Sequence, residues 1–289
     1  MFRHRPRDLY SRILFAAICG LSATHAFGQE VSPHRVTSES AQAMETSSAC
    51  DGVVRDLPLQ GGSFQRVLYS ASKRETKGIV IMFAGGTGEL DIDKSGNVKN
   101  AKNFVVRTSD LWRERGYGIV LVDALDHQSM RGQRSGAAYA EVTQKIIAFA
   151  HEQANVPVWV LGTSQGSIAA MNAAAHAGRT QLAGLILTES VSILGGSHET
   201  VFDAHPDNVR VPSLVVANVN DRCKVALPSM APEIAQSILH APTTVLAESG
   251  GVQRSLDACG SLSPHGYYGI EEKVVDDIVA WMQKTLSQS

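Results

Sequence analysis

VPVWVLGTSQGSIAA, residues 156–170, places a serine between two glycines where an apolar run gives way to an alanine-rich run. Residues 156–161 are short, apolar and rich in β-branched side chains, which predicts a buried strand. Residues 168–177 are rich in alanine and end before Gly178, which predicts a helix. Residues 162–166, GTSQG, are therefore expected to form a turn between a strand and a helix.

The two glycines of this turn are expected on steric grounds. A serine at a sharp strand-to-helix turn has a strained backbone, and a Cβ two residues away on either side would collide with the neighbouring strand or helix. Gly162 and Gly166 stand at those positions around Ser164, and the pattern occurs once in the chain. The turn predicts that Ser164 is a nucleophile.

A nucleophilic serine needs a base and an acid that orients the base, and at this kind of turn the acid and then the histidine follow the serine. Residues 211–219 predict a buried strand, and the loop behind it begins with Asn220 and Asp221. His265 lies in a loop before a predicted final helix, residues 269–286. We therefore predict Asp221 as the acid and His265 as the base.

Other residues remain open for both roles. His127 also follows a predicted strand, residues 118–123, although it precedes Ser164 in the chain. Glu189 follows the predicted strand at residues 183–188 and is the strongest rival acid. Three more carboxylates lie near strand ends or in loops: Asp123, Glu248 and Asp257. For each rival acid the alternative is a solvated loop carboxylate.

Acyl transfer also needs N–H donors for the oxygen that becomes negative in the transition state. The backbone N–H of Gln165, directly after the serine, is one expected donor. The predicted strand at residues 78–83 ends in AGGTG, and three glycines let this loop approach a substrate closely. We predict that Gly85, Gly86 or Thr87 supplies the second donor.

A phosphate-binding loop is the alternative for this glycine-rich segment. The segment has no lysine followed by serine or threonine in the P-loop arrangement. Asp91 stands where the third glycine of a dinucleotide-binding GxGxxG loop would be. Both departures disfavour a nucleotide site.

These motifs together resemble the α/β-hydrolase family. The resemblance rests on residues 162–166, the loop at residues 84–88, Asp221 and His265, and it spans residues 50–289. It implies a mostly parallel eight-stranded sheet flanked by helices, small-molecule substrates with ester, thioester or amide acyl bonds, and no cofactor or metal. The oxyanion loop lacks the histidine of the HGGG type, which argues against the lipase and esterase subfamily with that motif.

Periodicity independently predicts alternating strands and helices, which is typical of a parallel sheet with crossover helices. The predicted strands are residues 53–59, 64–71, 78–83, 118–123, 156–161, 183–188, 211–219 and 244–247. The predicted helices are residues 104–115, 139–154, 167–177, 230–240 and 270–286. We expect one domain over residues 50–289. The polar residues 195–210 predict either a short cap or a plain connection.

The amino-acid composition and net charge argue against some classes of binding partner. The chain has 289 residues, of which 44% are hydrophobic and 19% charged, so it can bury a sizeable core. A net charge of −2 argues against binding nucleic acid or an anionic membrane. The oligomeric state is left open.

The first residues have the features of a secretory signal peptide. An apolar run at residues 13–21 follows four basic residues: Arg3, Arg5, Arg7 and Arg12. We predict cleavage after Ala26 and a mobile tail at residues 27–49. The run is far shorter than the roughly 20 residues that span a bilayer, so a stable membrane anchor is disfavoured. The protein is expected to be secreted or periplasmic.

Secretion into an oxidising compartment favours disulfide formation. Cys50, Cys223 and Cys259 remain after the predicted cleavage. Cys223 lies close behind Asp221 and Cys259 shortly before His265, so we predict a Cys223–Cys259 disulfide that ties the acid loop to the base loop. The alternative is two buried free thiols, and the role of Cys50 is open.

The residues thus predict a secreted serine hydrolase, most simply a carboxylic ester hydrolase with a Ser164–Asp221–His265 triad. A secreted peptidase or amidase would use the same triad. A binding protein on the same scaffold is the non-catalytic alternative. Three residues are candidates for lining the pocket, with a solvated loop as their alternative: Met130, Arg131 and Arg134.

Overall fold

An eight-stranded sheet organises residues 52–288, the part of the chain that this computed structural model describes. The strands are β1 Gly52–Pro58, β2 Phe64–Ser70, β3 Gly78–Phe83, β4 Tyr117–Val122, β5 Val158–Thr163, β6 Gly184–Thr188, β7 Ser213–Asn218 and β8 Thr243–Glu248. All eight predicted strands are present with small shifts of their ends. The predicted signal peptide, residues 1–26, the predicted tail, residues 27–49, and Cys50 lie outside the described residues.

The spatial order of the strands is β1-β2-β4-β3-β5-β6-β7-β8. β1 pairs with β2 and β2 with β4 in antiparallel fashion, whereas every pair from β4/β3 to β7/β8 is parallel. The sheet is therefore mostly parallel, as expected. The carboxyl ends of β3 and β5 to β8 open on the same edge, where the loops that follow these strands can meet.

The central strands are buried on both faces. Every residue of β3 to β7 is buried, which explains why these strands read as continuous apolar runs rather than alternating patterns. The outer strand β8 is largely accessible, and Val245 is 41% exposed.

Six helices flank the sheet within residues 52–288. They are α1 Phe104–Arg107, α2 Ser109–Glu114, α3 Ala137–Gln153, α4 Gly166–His176, α5 Ala231–Ser237 and α6 Glu271–Leu286. Side chains of α3, α4 and α5 join one apolar cluster, and those of α1, α2 and α6 join a second. The two clusters contain residues from opposite faces of the strands, so the sheet lies between two layers of helices.

Two predicted helices differ from the observed ones. Residues 104–115 were expected to form one helix, but α1 ends at Arg107, Thr108 is its C-cap, and α2 follows from Ser109. The hydroxyls of Thr108 and Ser109 donate to the carbonyls of Phe104 and Val105, and such bonds to the preceding turn commonly bend helices. The helix expected at residues 230–240 is shorter, because Ile238 leaves the helical conformation.

Residues 195–210 form a connection that packs on the domain. They contain two short 3₁₀ turns, Val201–Ala204 and Pro206–Asn208. Val201, Ala204 and Val209 are fully buried in the apolar cluster that includes α4.

Among the described residues, no helix is both long and apolar enough to cross a membrane.

Candidate active site

Ser164 stands at the tight turn between β5 and α4. Its backbone is in the left-handed region, with φ of 52°. A Cβ on Gly162 would lie 2.2 Å from the carbonyl oxygen of Gly166, and one on Gly166 would lie 2.1 Å from that of Phe83. Real Cβ atoms do not make such contacts with backbone, so both positions require glycine for this turn to keep its shape.

His265 and Asp221 meet beside this turn. The Nδ1 atom of His265 lies 2.7 Å from Oδ2 of Asp221, and both side chains are buried. The other carboxylate oxygen of Asp221 accepts the backbone N–H of Cys223 at 2.8 Å. A carboxylate oxygen can only accept a hydrogen bond, so Nδ1 of His265 carries the hydrogen that is shared with Oδ2 of Asp221. The other ring nitrogen, Nε2, is then left as a proton acceptor.

His265 lines the same cavity as the serine. Nε2 is buried and has no hydrogen-bond partner among the described residues, Ser164 included. A cavity of about 260 Å³ is lined by Ser164, His265, Gly85, Gly86 and Thr87 together. The structure thus brings the predicted nucleophile, base and oxyanion loop to one cavity, and Asp221 lies behind the base.

The expected oxyanion donors surround Ser164. Gln165 is the N-cap residue of α4, and a Cβ on Gly85 would lie 3.0 Å from Cβ of Ser164. The backbone N–H groups of Gly86, Thr87 and Gln165 donate to no other group within residues 52–288. Donors without an internal partner are what a negative oxygen bound at this point would need.

Arg134 supports this loop from inside the protein. Its guanidinium donates to the carbonyl of Gly86 at 3.0 Å and to Oε1 of Gln165 at 3.3 Å. The side chain is almost fully buried, and desolvation lowers the pKa of Arg134 to about 10. Of the three candidate pocket residues, Arg134 is therefore buried behind the oxyanion loop rather than solvated, and Met130 is also buried.

A second cavity of about 270 Å³ is also lined by Ser164. It contains Arg131, the third of those candidates, whose side chain is exposed. Its other lining residues are Gly86, Ser164, Gln165, Val191, Gly195, Gly196, Ser197, Val225, Asp257 and Cys259. The start of the 195–210 connection thus forms one wall of the space around the serine.

His127, the rival base, is held elsewhere. Its Nδ1 atom lies 3.1 Å from Asp123 and its Nε2 atom 3.3 Å from the guanidinium of Arg66. Asp123 in turn accepts the backbone N–H groups of Leu90 and Ile92. These contacts give both rivals a structural role in anchoring the loop after β3, and His127 lines neither of the two cavities.

Two other rival acids have no hydrogen bond to His265 among the described contacts. Glu248 contacts the ammonium of Lys273, and burial raises the pKa of Glu248. Asp257 is exposed and accepts the backbone N–H of Cys259 at 2.9 Å.

Glu189 is the exception, because it lies next to Asp221. It is 1% exposed, and its Oε1 atom accepts the backbone N–H of Asn218 at 2.7 Å. Burial, and then the charge of Asp221, raise the pKa of Glu189 well above its usual range. Asp221 and Glu189 were alternative candidates for the acid that orients His265, and nothing in the sequence predicts that the two side chains lie next to each other.

Glu189, Asp221 and His265 are also close enough to suit a metal ion, with one donor atom from each within 4.8 Å of the others. His265 Nδ1 and Asp221 Oδ2 are already hydrogen-bonded to each other, and a metal bound through these two atoms would have to break that contact. We assign no metal to these residues.

Cys223 and Cys259 form the predicted disulfide. Cys223 is fully buried and its N–H binds the carboxylate of Asp221, whereas Cys259 lines both cavities at Ser164. The bridge therefore joins the loop of the acid to the wall of the cavity, across a sequence separation of 36 residues.

Removing this bridge should cost stability. In the chain-entropy account, a disulfide that closes a loop of this length stabilises by about 4 kcal/mol. We expect C223S/C259S to lower the free energy of unfolding in urea by that amount. A reductant should destabilise the wild type and leave the double variant unchanged. Equal stability of oxidised wild type and double variant would contradict this expectation.

No protein-family profile matches the chain, and no curated protein matches its sequence. Among solved structures, Est1E from Butyrivibrio proteoclasticus is 14% identical, with a TM-score of 0.56 over 81% of this chain and 99% of that one. The 2,6-dihydroxy-pseudo-oxynicotine hydrolase is 15% identical, with a TM-score of 0.56 over 83% and 69%. A lidless α/β serine hydrolase from Xanthomonas campestris is 13% identical, with a TM-score of 0.52 over 78% and 94%. At these identities the likeness concerns the fold.

Proposed function

We propose that this chain, which has the α/β-hydrolase fold, is a secreted serine hydrolase that cleaves an ester or related acyl bond. The observation that carries the proposal is the buried His265–Asp221 pair, whose histidine lines the same cavity as Ser164 at its strained turn. Similar structures are described as esterases and hydrolases, which supports the same class.

In the first step, Ser164 attacks the substrate. Nε2 of His265 accepts the Oγ proton while Oγ bonds to the acyl carbon. The carbonyl oxygen becomes negative, and the N–H groups of Gln165 and of Gly85, Gly86 or Thr87 stabilise it. The tetrahedral species then collapses, the bond to the leaving group breaks, and His265 passes its proton to that group. An acyl ester of Ser164 remains.

In the second step, water releases the acyl group. His265 accepts a proton from water as the hydroxide equivalent bonds to the acyl carbon, and the proton returns to Oγ of Ser164 when the acid leaves. Asp221 keeps the hydrogen of His265 on Nδ1 and stabilises the imidazolium that forms in both steps. Arg134 keeps the oxyanion loop in place through Gly86 and Gln165.

Secretion is part of the proposal. It is supported by the basic and apolar residues at the start of the sequence, and by a disulfide of a kind that persists in oxidising compartments.

A panel of substrates distinguishes an esterase from a peptidase and from a binding protein. Purified protein should hydrolyse aryl esters of short or medium acids with saturation kinetics and leave peptide anilides intact. Esters are favoured because ferulic acid, a carboxylic acid, is the ligand described for Est1E, and because the dienelactone hydrolase is named for a lactone. Cleavage of anilides without esters would point to a peptidase. Turnover of neither would favour a binding protein.

A further inference from the structure

Glu189 is a buried carboxyl group that the proposed reaction does not use. It follows β6 with its backbone in the left-handed region, at φ of 45°. One carboxyl oxygen, Oε1, accepts the N–H of Asn218, whereas Oε2 is buried without a partner among the described residues. Within residues 52–288, no lysine or arginine forms an ion pair with it. An ionised carboxylate in this place would have an unsatisfied oxygen and no compensating cation.

The titratable groups that face Glu189 do not supply a positive charge. They are Asp221, Tyr267 and His265, and one donor atom of His265 lies within 4.8 Å of a carboxyl oxygen of Glu189 and of Asp221. The hydroxyl of Tyr267 donates to the carbonyl of Val216 at 3.2 Å, and burial and the nearby Glu189 raise the pKa of this phenol well above its usual range. Glu189 therefore lies between neutral groups and a carboxylate.

Two adjacent buried carboxyl groups cannot both ionise, so one must hold a proton. Asp221 accepts two hydrogens, one from His265 and one from the N–H of Cys223, which favours its charged form. Glu189 accepts one, from Asn218, because the hydroxyl hydrogen of the neighbouring Tyr267 goes to the carbonyl of Val216. The proton consequently belongs to Glu189, and Oε2 is the oxygen free to carry it.

We propose that Glu189 is a positioning residue, a carboxylic acid that stays neutral at neutral pH and whose Oε2–H donates to the carboxylate of Asp221 and holds it toward His265. Its effect on catalysis rests on the proposed function. Its protonation does not, since it follows from the burial and the neighbours alone. A glutamine in its place would offer an N–H to Asp221, and a methionine would offer nothing.

Protonation makes stability depend on pH. Because the pKa of Glu189 is raised in the folded protein, the stabilising contribution is full below the usual glutamate pKa and declines as pH rises toward the folded value. Between those values the unfolded chain releases this proton and the folded protein keeps it. The folding equilibrium constant then falls about tenfold per pH unit from this group. E189Q has no such proton to release.

The first experiment measures the free energy of unfolding of wild type, E189Q and E152Q from about pH 5 to about pH 8. In this range a glutamate of the unfolded chain is ionised, whereas a glutamate with a raised pKa still holds its proton. Glu152 is exposed on α3, so E152Q controls for loss of a carboxyl group. The stability of E189Q relative to wild type should rise steadily with pH, and E152Q should track the wild type. A pH-independent difference for E189Q would show that Glu189 is ionised and overturn the proposal.

The second experiment measures the rate at which a fluorophosphonate labels Ser164. We expect E189M to label about tenfold more slowly than wild type at equal folded fraction, and E189Q to restore most of the rate. Equal rates in E189M and wild type would overturn the positioning role while the pH result stands. A wild type that does not react would overturn this role together with the proposed function, and the pH experiment would still report the proton on Glu189.

Discussion

His265→Gln should lower ester turnover by roughly 10⁴- to 10⁶-fold and lower the stability by only about 1 kcal/mol, because it removes the proposed base for Ser164 and one buried hydrogen bond to Asp221. His265 is the histidine that lines the serine cavity, and its Nε2 has no partner among the described residues. Glutamine at this position cannot accept and return a proton. Steady-state kinetics on an aryl ester, with thermal unfolding of the same samples, would measure both effects.

His127→Gln is the matched control. His127 also pairs with a buried aspartate at the carboxyl edge of the sheet, but it contacts Arg66 and lines neither cavity. We expect turnover close to wild type and a stability loss of about 1 kcal/mol from the broken hydrogen bonds. Loss of turnover in His127→Gln with retention in His265→Gln would reverse the assignment of the base.

Gly166→Ala should disrupt the turn that presents Ser164. The added Cβ would lie 2.1 Å from the carbonyl oxygen of Phe83 and 2.8 Å from that of Ala84, and these backbone atoms belong to the entrance of the oxyanion loop. Either β5 and α4 or this loop must move. We expect a stability loss of about 3 kcal/mol and, because small displacements of reacting groups are costly, at least a roughly 100-fold loss of turnover.

Gly136→Ala is the control for this substitution. Gly136 has a φ of −78°, and nothing lies within 4 Å of its virtual Cβ. Alanine at this N-cap should cost less than about 1 kcal/mol and leave turnover unchanged. Similar behaviour of the two variants would mean that the turn tolerates a side chain, which contradicts the steric reason for its glycines.

The sequence predicted what local chemistry determines. The strands β3 to β7 are continuous apolar runs, and the turn at Ser164 has glycines where only glycine fits, so both could be read from the chain. The fold class and the Cys223–Cys259 bridge are confirmed. The break at Thr108 was missed because the apolar spacing of residues 104–115 continues across it.

The sequence could not predict what depends on neighbouring strands. Glu189 and Asp221 are 32 residues apart in number and meet only because β6 pairs with β7. Arg134 was predicted either to line the pocket or to lie in a solvated loop. Its burial depends on its contacts with Gln165 at the start of α4 and with Gly86 in the loop after β3. The roles of Ser164, Asp221 and His265 in catalysis stay predictions, although the structure brings the three together.

The most direct test of the account is the intact mass of the protein after treatment with a fluorophosphonate. Only a serine activated by a base reacts readily with such a reagent. Wild type and Ser70→Ala should each gain one adduct, since Ser70 is buried in β2 away from both cavities, and Ser164→Ala should gain none. An adduct that persists in Ser164→Ala, or folded wild type that does not react, would contradict the assignment of Ser164 as an activated nucleophile.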